Sequence, residues 1–238
     1  MSKISAVGSG IWFPIHRGSI AVSRRALIFD MDGLMLDSEP LYQAAWQAAA
    51  RELGYDLDAE LYLSLVGRSS VEADRAFQQI FGEQFPVEAF NDRWDELWQQ
   101  LIKTQGVPLQ AGLLTLLDWV DQQAILKAIG TSSNAAEAEL CLSLAGIRDR
   151  FETLVTVDQV TAGKPAPDIF LAAAAQLQVE PADCLVLEDS NAGVQAAQAA
   201  GMAVVMVPDL QTPTAVSVAI AQHILPSLKA VLAWLQSF

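Results

Sequence analysis

Two aspartates follow a short apolar run near the start of the chain. Ala26–Phe29 is apolar throughout, and Asp30, Asp32 and Gly33 come directly after it. Such a run predicts a strand buried on both faces, whose carboxyl end is where an open α/β sheet binds its ligands. The two carboxylates would point the same way and repel each other unless a proton or a cation such as Mg²⁺ lay between them. Taken alone, the pair also fits an ordinary turn.

Three further polar groups follow predicted strands or lie in tight turns later in the chain. Thr131 and Ser132 stand at the start of a predicted helix, where backbone N–H groups can bind an anion. Lys164 lies in a proline-rich turn, and Glu188 and Asp189 follow a second apolar run. Each group alone fits a turn or a helix cap. Together with Asp30 and Asp32, these groups place two acidic pairs, a hydroxyl and a lysine at one edge of a predicted sheet.

The elements that position these groups alternate between helix and strand. After residue 109 the pattern predicts helices at 112–122, 134–145, 167–178, 191–200 and 226–237 and strands at 124–130, 153–157, 184–187 and 203–207. Such alternation specifies βαβ units. The predicted fold class is therefore α/β, with a Rossmann-like and mainly parallel sheet as the core.

The segment between the first strand and residue 109 has a helical pattern only. It predicts helices at 41–53, 58–66, 69–81 and 86–104. A tryptophan and leucine stripe with the spacing i, i+3, i+4 predicts a buried helix face: Trp94, Leu97, Trp98, Leu101 and Ile102. The sequence therefore predicts an all-helical domain inserted into the α/β core.

The predicted boundaries give three parts. Residues 1–23 form an N-terminal extension, residues 24–41 with 109–238 form the core domain, and residues 42–108 form the inserted helical domain. At the helix starts, Asp37 or Ser38 and later Ser133 or Asn134 are expected to act as caps.

Composition limits the classes of partner. The 238 residues are 52% hydrophobic and 18% charged, which is typical of a globular protein. A net charge of −14 argues against a nucleic-acid backbone or an anionic membrane surface as a partner. Cys141 and Cys184 have no metal-site spacing, and no run reaches the ~18 apolar residues that span a bilayer. We expect a cytoplasmic monomer with no nucleic-acid and no membrane partner.

The polar groups resemble the four ordered motifs of the haloacid dehalogenase superfamily. The matching residues are Asp30-Met-Asp-Gly, Thr131, Lys164-Pro and Glu188-Asp189. The helical block between the first two motifs resembles the superfamily's C1 cap. Detail such as Asp37-Ser38-Glu39-Pro40 is similar to the branch that holds β-phosphoglucomutase and small phosphosugar phosphatases.

The resemblance implies a catalytic role for each motif. Asp30 would be the nucleophile that attacks phosphorus and forms an aspartyl-phosphate. Asp32 would protonate the leaving oxygen and then activate water. Thr131, Ser132 and Lys164 would bind the transferring phosphoryl group.

The resemblance also implies a metal cofactor. Mg²⁺ would be held by Asp30, the backbone carbonyl of Asp32 and Asp189, with Glu188 contributing directly or through water. Arg68 lies where family members present a substrate-contacting loop, although a surface salt bridge is an alternative. Glu39, at the junction of cap and core, is likewise a candidate for substrate contact.

The function that the resemblance implies is a Mg²⁺-dependent phosphatase for a small phosphorylated metabolite, with a sugar phosphate expected. The alternative is a β-phosphoglucomutase, which would use the same aspartyl-phosphate chemistry. In a mutase we expect a histidine near Tyr42–Trp46, and this chain has none there. A dehalogenase attacks carbon and needs no acid at the second aspartate position, so the presence of Asp32 argues against that activity. A non-catalytic protein of this fold would have lost a motif residue, yet all are present.

Overall fold

The computed structural model describes residues 25–66 and 70–237, and one sheet runs through it. Its strands are β1 (Ala26–Phe29), β2 (Leu126–Gly130), β3 (Thr153–Val155), β4 (Cys184–Glu188), β5 (Ala203–Met206) and β6 (His223–Ile224). They lie in the order β3-β2-β1-β4-β5-β6, and every neighbouring pair is parallel. The predicted Rossmann-like parallel sheet is confirmed.

Four helices separate β1 from the rest of the sheet, and the others connect or follow the later strands. The inserted helices are α1 (Glu39–Glu52), α2 (Ala59–Leu65), α3 (Ser70–Phe81) and α4 (Val87–Gln105). The remaining helices are α5 (Leu113–Gln122), α6 (Ala135–Leu144), α7 (Asp168–Leu177), α8 (Asn191–Ala199), α9 (Ala215–Ile220) and α10 (Leu228–Leu235). The predicted insertion of an all-helical segment is also confirmed.

Strand β1 is buried on both faces, as its apolar sequence predicts. Leu27 and Phe29 pack into a hydrophobic cluster with helices α5, α6 and α10. Ala26 and Ile28 pack into the opposite cluster with α7 and α8. Because side chains alternate along a strand, these four residues hold a helical layer against each face of the sheet.

The inserted helices have an aromatic core of their own. Phe77 is 1% exposed and lies 4.7 Å from Phe90 and 5.1 Å from Phe85, measured between ring centroids. Trp98 and Ile102 of α4 are buried instead in the cluster that contains Phe29. The predicted tryptophan stripe is therefore core packing, and it joins the inserted helices to the sheet.

The predicted elements agree with the observed ones within two residues at each end. Strand β2 begins two residues later than predicted, and Ala124 has a left-handed φ of 52°, which is incompatible with a strand. Helix α9 and strand β6 were not predicted. Strand β6 has only two residues, which is too short to show a period.

Some predictions lie outside the described residues, namely the extension over residues 1–23 and the candidate Arg68. Within the described residues, no helix combines the length and apolar character needed to cross a membrane.

Phe77 provides a test of the helical core. Replacing it with alanine removes a fully buried ring, and we expect a loss of about 3–5 kcal/mol in the free energy of unfolding. Ile80→Ala in the same helix is the control, since Ile80 is 49% exposed and should cost below about 1 kcal/mol. Urea denaturation followed by circular dichroism measures both. Similar losses for the two variants would show that this cluster is not a packed core.

Candidate active site

Strands β1, β2 and β4 place the predicted motif residues at one edge of the sheet. Phe29 pairs in register with Ile129 of β2 and with Leu187 of β4. The residues one or two places further on, Asp30, Thr131 and Glu188, are therefore neighbours. Asp30 N–H donates to the Leu187 carbonyl over 3.0 Å, so the ladder holds this edge rigidly.

Lys164 reaches this edge from the loop before α7. Its Nζ donates hydrogen bonds to Asp30 Oδ1 and, over 2.7 Å, to Glu188 Oε1. The lysine side chain is 5% exposed and that of Glu188 is fully buried. Burial alone would lower the pKa of Lys164, but the charges of Asp30 and Glu188 outweigh it and the pKa lies above its usual value. Lys164 is therefore a permanent buried cation beside the predicted nucleophile.

Asp30, Glu188 and Asp189 form an acidic cluster around that lysine. Each offers a carboxylate oxygen, and these oxygens all lie within 4.8 Å of one another. Burial raises the pKa of Asp30 to about 8 although Lys164 lowers it. Burial also raises the pKa of Asp189, and the charges of Glu188 and Asp30 add to the effect. This set of hard oxygen ligands, with more negative charge than one lysine offsets, fits a divalent cation such as Mg²⁺.

Two glycines allow the carboxylates to approach the backbone. Gly33 has a φ of +82°, and a Cβ there would collide with the Asp189 carboxylate, whose Cγ would lie 2.8 Å away. A Cβ on Gly193, in the first turn of α8, would overlap the Glu188 carboxylate. That carboxylate cannot easily move, because Ser190 donates to Glu188 Oε2 from its backbone N–H (2.7 Å) and its Oγ (2.9 Å).

Asp32 is held by two serine hydroxyls. Ser38 Oγ donates to Asp32 Oδ1 over 2.7 Å, and Ser133 Oγ donates to Asp32 Oδ2 over 2.8 Å. Burial raises the pKa of Asp32, whereas these two hydrogen bonds lower it. Ser38 occupies the N-cap position of α1 but makes no side-chain capping bond, so its expected capping role is wrong. At α6 the cap is Asn134, as one of the two expected residues, which leaves Ser133 to orient Asp32.

Thr131 and Ser132 lie where β2 passes into α6. Thr131 is buried, and its Oγ1 accepts a hydrogen bond from Ser133 N–H over 3.0 Å. Its own O–H can then donate to an anion. Ser132 is exposed and, like Thr131, lines a cavity at this edge of the sheet. Thr131 and Ser132 thus lie beside the first turn of α6, where the sequence predicts an anion-binding site.

A cavity of about 940 Å³ extends from this edge toward the inserted helices. Its lining includes Glu39, whose Oε2 accepts a 2.6 Å hydrogen bond from the Tyr62 hydroxyl. Nearby, the Tyr42 hydroxyl donates to Glu137 Oε1, also over 2.6 Å. Glu39 thus lines the cavity, and its contact with a substrate stays a prediction, whereas Arg68 lies outside the described residues.

Several cavity residues were missed by sequence reasoning. They come from α2, from α6 and from the loop after β5: Tyr62, Glu137 and Asp209. Each lies outside the recognisable motifs, and only the packing of distant segments brings it to the cavity. A tyrosine and a glutamate at helix starts carry no sequence signal that separates them from surface residues.

The family model described as haloacid dehalogenase-like hydrolase matches residues 27–207. The chain belongs to this family. All four motif positions of the site lie within the matched range, so the family assignment and the site geometry rest on the same residues.

Named relatives within the family include two kinds of enzyme. The chain is 34% identical to a fructose-1-phosphate phosphatase of Escherichia coli over 176 residues, covering 74% of this chain and 92% of that protein. It is 33% identical to a β-phosphoglucomutase of Bacillus subtilis over 184 residues, covering 75% and 80%. The crystal structure of a β-phosphoglucomutase from Clostridium difficile superposes with a TM-score of 0.73 at 26% identity, covering 90% of this chain and 96% of that one.

Gly193→Ala tests the close packing of α8 against Glu188. In an ordinary helix this change would stabilise by about 1 kcal/mol. Here we expect a loss of at least about 1 kcal/mol in the free energy of unfolding, because the new Cβ displaces a buried carboxylate from its donors.

A double-mutant cycle isolates the cause of that loss. In a Glu188→Ala background the overlap is gone, so Gly193→Ala should become neutral or stabilising. Urea denaturation of the four proteins measures the coupling. A loss that persists without the Glu188 carboxylate would contradict this account.

Proposed function

We propose that this protein is a Mg²⁺-dependent phosphatase that hydrolyses a small phosphorylated metabolite, a sugar phosphate, through an aspartyl-phosphate on Asp30. The observation that carries the proposal is the contact of buried Lys164 with Asp30 and Glu188 at the floor of the cavity. The sequence similarity to a fructose-1-phosphate phosphatase supports the substrate class.

Asp30 is the proposed nucleophile. Its carboxylate is 9% exposed, so little water competes with an incoming phosphoryl group. Lys164 contacts Asp30 and favours its ionised form, which is the form that can attack phosphorus. The same lysine, the Thr131 hydroxyl and the start of α6 would stabilise the charge of the transferring phosphoryl group.

Asp32 is the proposed acid and base. It lies two residues from Asp30 and lines the same cavity. Its raised pKa favours a protonated fraction that can donate to the leaving oxygen. The hydrogen bonds from Ser38 and Ser133 fix the direction of its carboxyl group, which would later take a proton from water.

The proposed Mg²⁺ ligands are Asp30, the backbone carbonyl of Asp32 and Asp189, with Glu188 contributing directly or through water. Bound Mg²⁺ would offset the negative charge of the phosphate and of the acidic cluster. The serine donors and Gly193 position Glu188 for this purpose from the protein side.

A second candidate function is that of a β-phosphoglucomutase. It is favoured by the relative of that name and by the similar crystal structure. Both candidate functions need the same groups around Asp30. In this chain the helix after the first motif has Tyr42 directed to Glu137 and stacked 5.1 Å from Trp98, so no described residue there offers an imidazole for proton transfer.

The proposed domain boundaries are those that the sequence predicts. The core would comprise residues 24–41 and 109–238, and residues 42–108 would form a cap that closes the cavity. Glu39 and Arg68 would contact the substrate. We propose that the protein acts as a cytoplasmic monomer.

The deciding assay follows free phosphate and sugar-phosphate isomers together. The purified protein is incubated with Mg²⁺ and a panel of sugar phosphates that includes β-glucose 1-phosphate. Free phosphate from one or a few sugars supports the phosphatase. Conversion of β-glucose 1-phosphate to glucose 6-phosphate with little phosphate released would support the mutase instead.

Asp30→Asn is expected to reduce phosphatase turnover at least about 10³-fold, because a carboxamide is a poor nucleophile. The fold should persist, since Lys164 retains Glu188 as a partner. Phosphate release measures the first effect and circular dichroism the second. The exposed Asp92→Asn is the matched control and should keep full activity. Retained activity in Asp30→Asn would exclude Asp30 as the nucleophile.

Ser38→Ala and Ser133→Ala test the orientation of Asp32. Each removes one donor to its carboxyl group, and we expect kcat/KM for a sugar phosphate to fall about 10-fold. For p-nitrophenyl phosphate the fall should be below about 3-fold, because its leaving group needs no proton.

The ratio between the two substrates distinguishes orientation of an acid from general damage to the site. The exposed Ser143→Ala serves as the control with no expected change. Equal losses on both substrates would show that these serines do not act through Asp32.

A further inference from the structure

The cavity is much larger than a phosphoryl group needs. One end is lined by Asp30, Thr131 and Lys164, and the rest extends along α1, α2 and the loop after β5. If the proposed phosphatase function holds, this second region contains the alcohol part of the substrate. The side chains there should therefore select the substrate.

Two of the three carboxylates in this region already have a tyrosine partner. Glu39 accepts from Tyr62, and Glu137 accepts from Tyr42. Asp209 has no tyrosine partner, and its carboxyl group receives a hydrogen bond from the Gln110 side chain instead. Its Oδ2 is buried and has no hydrogen-bond donor within the described residues. Such an oxygen is costly while it stays unpaired, and a rotation of the carboxyl group about its terminal torsion would turn it toward a donor bound in the cavity.

Asp209 and Glu39 both line the cavity, and their charges interact. Burial raises the pKa of Glu39, and the charges of Asp32 and Asp209 raise it further. Burial likewise raises the pKa of Asp209, and the charge of Asp37 raises it further. These two carboxylates add negative potential to the part of the cavity that they line.

The loop that carries Asp209 is fixed in place. Asn191 Nδ2 donates to Gln211 Oε1 over 3.0 Å and to the Thr212 carbonyl over 3.1 Å. Asn191 Oδ1 accepts from Thr214 N–H over 2.9 Å. Asn191, the first residue of α8, therefore holds the loop in place, and the loop in turn fixes the position of Asp209 at the cavity.

The rest of this region is apolar or aromatic. Trp46, Leu65, Val66 and Leu210 line it together with the tyrosines. Among the described lining residues here, Arg75 of α3 is the one cation, and it is exposed, so solvent screens its charge. Apolar walls with a few hydrogen-bond acceptors suit a neutral polyhydroxy compound, whose C–H faces pack and whose hydroxyls donate.

We propose that Asp209 is a specificity-determining residue of this cavity. With Glu39 it accepts hydrogen bonds from hydroxyl groups of the substrate's alcohol part, and it disfavours substrates in which that part carries a second anionic group. The preferred substrates are therefore monophosphates of neutral sugars or polyols, and sugar bisphosphates are poor substrates. This inference rests on the proposed phosphatase function.

The test compares matched pairs of substrates. Fructose 1-phosphate is paired with fructose 1,6-bisphosphate, and β-glucose 1-phosphate with glucose 1,6-bisphosphate. For the wild-type protein with Mg²⁺, we expect kcat/KM to favour the monophosphate of at least one pair by about 10-fold or more, since like charges repel in the cavity.

Asp209→Asn keeps the shape of the side chain and removes its charge. We expect about a 10-fold rise in KM for the preferred monophosphate, because a hydrogen-bonding site loses an acceptor. The preference over the bisphosphate should shrink by a similar factor. Turnover of p-nitrophenyl phosphate should stay within about 2-fold of wild type, which also shows that the variant is folded. The exposed Asp56→Asn is the matched control and should change none of these values.

The outcomes separate this inference from the function on which it rests. If the wild-type protein does not hydrolyse p-nitrophenyl phosphate or any sugar phosphate, the phosphatase proposal fails and this inference fails with it. If it hydrolyses p-nitrophenyl phosphate but prefers the bisphosphates, or none of the four sugars, only the inference is overturned. The same holds if Asp209→Asn leaves KM and the preference unchanged, or lowers turnover of every ester equally.

Discussion

A lysine charge buried in the sheet edge is the constraint on which the site depends. Lys164 is 5% exposed, and burial of an isolated ammonium group would cost several kcal/mol. Asp30 and Glu188 make it tolerable by accepting its hydrogen bonds. Removing one partner of such a group commonly costs 3–5 kcal/mol, yet apolar replacements of the whole set are often neutral. Stability alone therefore does not explain the arrangement, whereas phosphoryl chemistry does.

The carboxyl groups around Lys164 outnumber this one positive charge. Asp30, Glu188 and Asp189 converge on the space that the lysine leaves open, and burial together with their mutual repulsion raises the pKa of Asp30 and Asp189. A bound cation would relieve that repulsion, and a phosphate group that it attracted would bring its own negative charge. Gly33 and Gly193 are needed because the carboxylates occupy the space where a Cβ would lie. The backbone is thus adapted to the carboxylates and not the reverse.

The sequence was sufficient to predict the fold and the meeting of the motif residues at one edge of the sheet, for a physical reason. Asp30, Thr131 and Glu188 follow or end strands that pair in register, so the parallel sheet alone brings them together. Lys164 stands in a recognisable proline-rich turn. Local patterns therefore carried nearly all the information about this edge.

The same reasoning failed where one residue type has several local uses. Ser38 and Ser133 precede helices, and capping was the natural expectation, but their hydroxyls face Asp32. Nothing local distinguishes the two uses, since both place a serine just before a helix. Asp209 and Glu137 reach the cavity only because distant segments pack together, as the 95-residue separation of Tyr42 and Glu137 illustrates. Such contacts require the tertiary structure.

The two ends of the cavity consequently differ in how they are held. The end lined by Asp30 and Thr131 is fixed by backbone hydrogen bonds of the sheet. Side-chain changes elsewhere cannot easily shift these bonds. The other end depends on side-chain contacts between segments: Tyr42 stacks on Trp98 and donates to Glu137, and Tyr62 donates to Glu39. A change in one of these tyrosines can therefore move a wall of the cavity without moving Asp30. This separation would let the residues that line the second part of the cavity change while the groups around Asp30 stay in place, which is consistent with similarity to relatives named for different reactions.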